Sequence, residues 1–102
     1  GPQRSVYCMT KHAVEGLTKA TAVELAPRGI RVNSVAPTFV ETQLTKPMLD
    51  DPQFREFVLG MIPSGRVATI DDVVNAVLYL LSPGAAMVTG HSLVVDGGWT
   101  AR

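Results

Sequence analysis

The sequence predicts an α/β fold in which short parallel strands alternate with helices. Two segments, 30–36 and 91–95, are rich in β-branched residues, too short for helices and bounded by turn residues. Longer segments with helical apolar spacing precede and separate them. Strands joined by long helical crossovers pair in parallel, and two strands alone make only a marginal sheet. We therefore expect the chain to be part of a larger α/β domain.

The first element is a predicted helix that begins at a Ser5 cap. Val14 and Leu17 recur at helical spacing along it. Pro27 cannot continue a helix, and Gly29 accepts the left-handed conformation that closes one, so the helix is expected to end there.

The first strand is expected over 30–36, with Pro37 stopping it. The following stretch, 38–65, is interrupted by three prolines and is less regular. Within it, segment 54–61 has apolar residues at helical spacing and predicts a short helix.

The clearest predicted helix opens at Thr69, since Asp72 three residues later forms a capping-box pattern with it. Its apolar face runs from Val73 to Leu81, and Ser82-Pro83-Gly84 ends it. The second strand then lies between Thr89-Gly90 and Asp96-Gly97-Gly98, which are turn signals.

Composition excludes several functions. Lys plus Arg equals Asp plus Glu, at nine each, and no basic run is present, so nucleic acid and anionic membranes are not expected partners. Cys8 is the single cysteine, which excludes an internal disulfide and favours a cytoplasmic setting. His12 and His91 have no partner at ligand spacing, so no metal site is predicted.

Tyr7 and Lys11 lie four residues apart and therefore share one helix face. A phenol normally loses its proton near pH 10, and a fixed ammonium one turn away favours the phenolate, so the pair has the chemistry of an acid/base. A tyrosine and a lysine at this spacing are also common on solvated helix faces. Spacing alone leaves both interpretations open.

Several motifs in the right order resemble a known family. They are Tyr7-Cys8-Met9-Thr10-Lys11, the run from Glu24 to Pro37 (ELAPRGIRVNSVAP), Val88-Thr89-Gly90 and Val94-Val95-Asp96-Gly97-Gly98-Trp99. They resemble the C-terminal part of the classical short-chain dehydrogenase/reductases. The resemblance implies that residues 1–102 are the C-terminal segment of one such domain. It also implies part of a doubly wound, Rossmann-like parallel sheet that lacks the N-terminal dinucleotide-binding half.

In that family, the tyrosine matching Tyr7 is the general acid/base, and the lysine matching Lys11 lowers its pKa and binds the nicotinamide ribose. The resemblance therefore implies an NAD- or NADP-dependent alcohol/carbonyl oxidoreductase with Tyr7 and Lys11 as catalytic residues.

The loop after the first strand of such enzymes binds the nicotinamide carboxamide. The matching residues here are Pro37, Thr38, Phe39, Val40 and Thr42, of which the Val40 backbone and the Thr42 hydroxyl are the expected contacts. Thr38 stands where glycine is common, and a β-branched residue resists a positive φ. Thr42 as a simple cap of the next turn is the other interpretation.

Residues 41–63 correspond to the family's variable substrate lid. Phe54, Phe57 and Met61 either line it or pack it onto the body. The Ala-Pro-Thr-Phe-Val-Glu-Thr segment resembles that of some family members that act on sugars or polyols, which favours such a substrate by analogy. Arg66 is interpreted as structural or interfacial, and a homodimer or homotetramer is the implied assembly.

The family's glycine-rich phosphate loop and its catalytic Ser and Asn precede the tyrosine, and no Gly-x-x-x-Gly-x-Gly occurs in this sequence. We therefore expect these residues alone to be inactive. The alternative function is a non-catalytic assembly module that associates through the Val14/Leu17 and Val77/Leu80 surfaces.

Overall fold

The computed structural model describes residues 9–101 in full and residues 2–8 only as part of a helix. Its helices and strands are, in order, α1 (Pro2–Leu25), β1 (Ser34–Pro37), α2 (Lys46–Leu49), α3 (Pro52–Met61), α4 (Ile70–Leu81) and β2 (Ser92–Val95). Short 3-10 turns follow α1, α4 and β2, at Ala26–Arg28, Pro83–Ala85 and Trp99–Ala101. Among the described residues, no helix is both long and apolar enough to cross a membrane.

Helix α1 ends as its sequence predicts. Pro27 lies in the 3-10 turn, and Gly29 follows with a φ of 74° while its N–H donates to the Ala26 carbonyl at 2.9 Å. Because this left-handed conformation is open to glycine at little cost, Gly29 closes the helix. The predicted start is wrong: Ser5 lies inside α1 rather than at its cap.

The two strands pair in parallel, with Ser34 opposite Ser92 and Pro37 opposite Val95. Helix α4 contacts both strands and is part of the crossover between them. A parallel pair with a helical crossover is the arrangement that the alternation of elements predicts.

Strand β1 is shorter than the predicted 30–36, because before Ser34 most of the hydrogen bonds between the two segments involve side chains. The Asn33 amide donates to the Val88 carbonyl at 2.9 Å and accepts from the His91 N–H at 3.0 Å. The Val32 N–H donates to the Thr89 hydroxyl at 3.0 Å. The segment before β1 is thus held beside the segment before β2 by these side chains together with one backbone bond, from the Gly90 N–H to the Val32 carbonyl at 2.7 Å.

Helix α4 has the predicted capping box. The Thr69 hydroxyl accepts from the Asp72 N–H at 3.2 Å, and the Asp72 carboxylate accepts from the Thr69 N–H at 2.8 Å. Arg66 adds a bidentate ion pair to the same carboxylate, with N···O distances of 2.7 and 3.1 Å. Arg66 therefore makes a structural contact, which is one of the two roles that the sequence left open.

The best-packed core lies beside the sheet rather than on it. Four residues from α2, α3 and the segments after α3 are buried, and four partly buried apolar residues pack against them. The buried residues are Leu49, Val58, Ile62 and Val67, and the partly buried ones are Phe39, Phe54, Leu59 and Trp99. This core joins the loop after β1 to the predicted lid segment and to the C-terminal turn.

Several apolar residues of α1 and α4 remain accessible. Val14 is 50% exposed, Leu17 68% and Val77 38%. Leu80, which the sequence placed on the same surface as Val77, is buried at 7% exposure and packs inward. Apolar faces of this extent are typical of surfaces that another segment or subunit covers.

Candidate functional site

Lys11 is placed beside strand β1. It lies one turn after position 7 of α1, is exposed, and lines an open cavity of about 240 Å³ together with Ser34 to Pro37 of β1 and Ser92 of β2. The structure thus brings one predicted catalytic residue to the strand whose end carries the predicted cofactor loop. Tyr7 lies outside the residues whose side chains the structure describes.

Pro37 ends β1, and Thr38 continues the pairing by donating its N–H to the Val95 carbonyl at 3.3 Å. Among the described residues, positive φ values occur only at glycines. Thr38 therefore adopts an ordinary negative φ, and threonine is compatible with the loop at the position where the resemblance implies a glycine.

Val40 is held at the edge of the loop by a single parallel bridge to Ala68. The Glu41 N–H donates to the Ala68 carbonyl at 2.8 Å. Successive N–H groups of an extended chain point to opposite sides, so the Val40 N–H is directed away from Ala68. It is oriented as a donor for a group on the other side of the loop.

Thr42 caps the turn that follows. Its hydroxyl accepts from the Thr45 N–H at 3.2 Å, and its carbonyl accepts from the Lys46 N–H at 2.9 Å. The capping role left open by the sequence is therefore present. The Thr42 hydroxyl can also form a further hydrogen bond, because a hydroxyl that accepts one hydrogen bond can still donate its proton.

Thr45 is the residue that the sequence interpretation missed. Its hydroxyl donates to the Val40 carbonyl at 2.6 Å and accepts from the Thr42 N–H at 2.9 Å. It thereby contacts both residues expected to bind a carboxamide. The signal in the sequence is the Thr-x-x-Thr spacing of 42–45, which is a pattern for local hydroxyl-to-backbone bonding.

Phe39 faces the core rather than open space. Its ring stacks on Trp99 at a centroid distance of 5.9 Å with an interplanar angle of 24°, and meets Phe54 edge-on at 5.7 Å and 71°. Any contact that Phe39 makes with a cofactor would therefore come from its backbone. The ring instead fixes the loop to α3 and to the C-terminal turn.

The C-terminal turn is built around Asp96. Its carboxylate accepts from the Gly98 N–H at 2.9 Å, the Thr100 N–H at 2.8 Å and the Thr100 hydroxyl at 2.6 Å. The bonds from Thr100, followed by that from Gly98, hold the pKa of the Asp96 carboxyl below its usual range. Ser64 ties the turn to the end of α3, since its N–H and hydroxyl both donate to the Gly97 carbonyl at 2.9 Å.

The segment 41–63 contributes both packed and exposed residues. Phe54 packs against Phe39, whereas Phe57 on the same helix is 61% exposed. The described residues hold no cluster of three or more His, Cys, Asp or Glu side chains that could bind a metal ion.

Comparison with known proteins shows relatives along nearly the whole chain. A family model described as enoyl-(acyl carrier protein) reductase matches residues 1–100. D-erythrulose reductase of Gallus gallus is 50% identical over 95 residues, which cover 93% of this chain and 39% of that reductase.

Solved structures share the fold as well. Gluconate 5-dehydrogenase from Burkholderia cenocepacia J2315, in complex with NADP and tartrate, is 36% identical with a TM-score of 0.86 and is matched over 94% of this chain and 38% of its own. A 4-hydroxyisoleucine dehydrogenase complexed with NADH is 35% identical with a TM-score of 0.92, covering 96% and 40% of the two chains.

The chain therefore spans about two fifths of the length of these relatives. The family match extends over residues 1–100, and it includes the helix that carries Lys11, the loop after β1 and the Asp96 turn. The chain belongs to the short-chain dehydrogenase/reductase family.

Proposed function

We propose that the chain is the C-terminal segment of an NAD- or NADP-dependent oxidoreductase that interconverts an alcohol and a carbonyl compound. The observation that carries this proposal is the shared cavity of Lys11 and the β1 residues up to Pro37. It supports the proposal because the helix turn that carries Lys11 lies beside the strand that leads into the loop assigned to the cofactor. Residues 1–102 would then supply the acid/base, half of the nicotinamide site and the substrate lid.

The residues of the loop fit a nicotinamide carboxamide. A carboxamide has one carbonyl acceptor and two N–H donors, so it needs at least one donor and one acceptor from the protein. The Val40 N–H, directed away from Ala68, is the donor that we assign. The Thr42 hydroxyl can both donate and accept. When bound, the nicotinamide would supply or accept the hydride, and these contacts would fix which ring face is presented.

Lys11 and Tyr7 are assigned to proton transfer. The Lys11 ammonium would favour the phenolate form of Tyr7 and contact the nicotinamide ribose hydroxyls. Tyr7 would then take a proton from the substrate hydroxyl during oxidation and return it during reduction. Lys11 is exposed in the described structure, so its charge is available to a ligand.

A sugar or polyol is the substrate class that we favour. Two relatives support it by name, D-erythrulose reductase and gluconate 5-dehydrogenase. Segment 41–63 is assigned as the lid that closes over this substrate, and α3, with Phe57 exposed, is its longest helix. A lid of this kind excludes water and positions the reacting carbon.

Assembly as a homodimer or homotetramer is part of the proposal. The exposed apolar residues of α1 and α4, such as Leu17 and Val77, support it because surfaces of this kind are usually covered. The same observation favours the second candidate function, a non-catalytic assembly module. The two are separated by measuring cofactor-dependent absorbance change with sugars and polyols alongside light scattering.

Tyr7→Phe in the full-length protein tests the proposed chemistry. The variant keeps the ring and removes the ionisable group, so we expect turnover to fall at least 100-fold, on the order of the contribution of general acid/base catalysis. The dissociation constant for NADH or NADPH should stay within about twofold. Tyr79→Phe, which removes the same hydroxyl from a tyrosine of α4 that is 48% exposed, is the matched control. Near-normal turnover in Tyr7→Phe would contradict the assignment.

A further inference from the structure

We propose that Thr45 is a positioning residue that sets the geometry of the nicotinamide-binding loop. The inference rests on the proposed function, because it concerns the two groups, the Val40 N–H and the Thr42 hydroxyl, assigned to the carboxamide. Thr45 is the residue whose side chain contacts both Val40 and Thr42.

The contact with Val40 immobilises one peptide unit from both ends. The Thr45 hydroxyl donates to the Val40 carbonyl at 2.6 Å, while the Glu41 N–H of the same peptide donates to the Ala68 carbonyl at 2.8 Å. A peptide bond is planar, so two bonds on its opposite edges fix the orientation of the whole plane. This fixes the Val40–Glu41 peptide. The Val40 N–H belongs to the preceding peptide, so Thr45 acts on its direction through the backbone angles of Val40.

The contact with Thr42 decides where the Thr42 proton goes. The two hydroxyl oxygens lie 3.2 Å apart, and either could donate on distance alone. Thr45 has one hydroxyl proton and directs it to the Val40 carbonyl. Thr42 must therefore be the donor in the hydroxyl pair. With its proton directed to Thr45 and one lone pair taken by the Thr45 N–H, the Thr42 oxygen keeps one lone pair to accept from the carboxamide NH2, while the Val40 N–H donates to the carboxamide carbonyl.

Thr45 occupies a position where a threonine hydroxyl normally caps the helix that follows. It is the N-cap residue of α2, yet its side chain makes no capping bond to that helix. Threonine at an N-cap usually accepts a bond from an N–H two or three residues later. Here the hydroxyl instead makes hydrogen bonds to Val40 and Thr42, so the side chain stabilises the loop before α2 rather than the first turn of α2.

The test uses Thr45→Val and Thr45→Ser in the full-length enzyme. Valine keeps the shape and removes the hydroxyl, whereas serine keeps the hydroxyl. We expect Thr45→Val to weaken binding of NADH or NADPH about tenfold, as the loss of an ordered hydrogen-bond network would. Thr45→Ser should recover most of this loss. Binding is measured by calorimetry, and the KM for cofactor should rise more than kcat falls.

A ligand without nicotinamide separates positioning from general destabilisation. ADP-ribose, or its 2′-phosphate for an NADP-dependent enzyme, occupies the remainder of the dinucleotide site. Its affinity should be unchanged in Thr45→Val, because the missing hydroxyl affects only the carboxamide end. Thr89→Val is the matched control: it removes a threonine hydroxyl that accepts from the Val32 N–H at 3.0 Å, away from the loop.

Thr42→Val distinguishes the inference from the function on which it rests. If Thr42→Val weakens nicotinamide binding selectively and Thr45→Val does not, the loop is the carboxamide site and the positioning role of Thr45 is wrong. If neither variant discriminates between the dinucleotide and ADP-ribose, the carboxamide assignment fails, and the inference fails with it. Equal loss of both ligands in Thr45→Val would also overturn the positioning role.

Discussion

Phe39 and Trp99 stack with their ring centroids 5.9 Å apart, which joins the loop after β1 to the turn after β2. Phe54 of α3 meets the ring of Phe39 edge-on, with the ring centroids 5.7 Å apart. Three segments that are distant in sequence therefore meet at one ring. Because Phe39 directly precedes Val40, the packing of this ring bears on the position of the proposed carboxamide contacts.

Replacing Trp99 with alanine should loosen both the loop and α3. The indole is partly buried and in contact with Phe39, so its removal should lower the free energy of unfolding by about 2 to 3 kcal/mol. We also expect the KM for cofactor to rise. Chemical denaturation and steady-state kinetics of the full-length protein measure the two effects.

Trp99→Phe is the conservative comparison, because a smaller ring can keep the stack and should cost less than Trp99→Ala. Phe57→Ala is the control on α3, since that ring is 61% exposed and its loss should change stability little. A cofactor KM that is unchanged in Trp99→Ala would show that the stack does not influence the loop.

Gly97→Ala should be strongly destabilising. Gly97 has a φ of +62°, and a Cβ there would lie 2.6 Å from Ile62 Cγ2 and 3.2 Å from Ser64 Cβ. Positive φ strains alanine, and forcing a methyl against a buried side chain typically costs 1–3 kcal/mol, so a total loss of about 2 to 4 kcal/mol is expected. Thermal unfolding measures it.

The control for this substitution is Gly60→Ala, which lies in α3 with no atom within 4 Å of the new Cβ. Alanine is favoured over glycine in a helix by about 1 kcal/mol, so this variant should be neutral or slightly more stable. Equal unfolding temperatures for the two variants would contradict the steric argument.

Features that depend on neighbours in sequence were predicted well. The Thr69/Asp72 capping box and the closure of α1 at Gly29 are confirmed. Each depends on residues that lie within a few positions of one another, so the sequence could indicate it. The parallel pairing of the strands and the family resemblance are confirmed as well. The resemblance identified the candidate loop from Pro37 to Thr42, although its contacts with a cofactor stay predictions.

Features that depend on distant partners were missed. The shortening of β1 comes from Asn33, whose amide contacts residues 55 and 58 positions away. Helical spacing indicated that Phe54 and Phe57 share α3 but could not show that Phe54 packs on Phe39 while Phe57 remains exposed. The role of Thr45 depends on where a turn directs its hydroxyl, which spacing alone does not specify.

Acid should weaken the ion pair that caps α4. The Arg66 guanidinium, followed by the Thr69 N–H, holds the pKa of the Asp72 carboxyl well below its usual 3.8. A carboxyl with a lowered folded-state pKa stabilises the fold above its unfolded pKa and loses that contribution as the pH falls towards the folded value. The contribution should therefore be complete above about pH 4 to 5 and decline below it.

Arg66→Gln should bring the pKa of Asp72 back towards its usual value. The unfolding temperatures of the wild type and the variant should then differ at pH 6, and the difference should be smaller but not abolished at pH 3, because the folded-state pKa of Asp72 lies well below its usual range. Arg55→Gln is the matched control, since Arg55 makes no ion pair among the described residues. A difference between Arg66→Gln and the wild type that stays constant over this pH range would show that charge on Asp72 is not its source.

Lys11→Gln should move the pH dependence of oxidation to higher pH. If the ammonium favours the phenolate of Tyr7, its removal raises the pKa of that phenol, so less of the base form exists at neutral pH. We expect kcat at pH 7 to fall by tenfold or more and the rising limb of the profile to shift upward by about one unit or more. Lys19→Gln, on the same helix two turns further on, is the control for loss of a positive charge. Lys11 is also assigned to the nicotinamide ribose, so the KM for cofactor should rise in Lys11→Gln and not in Lys19→Gln. If the KM rises but the pH profile of Lys11→Gln does not shift, Lys11 binds the cofactor without lowering the pKa of Tyr7.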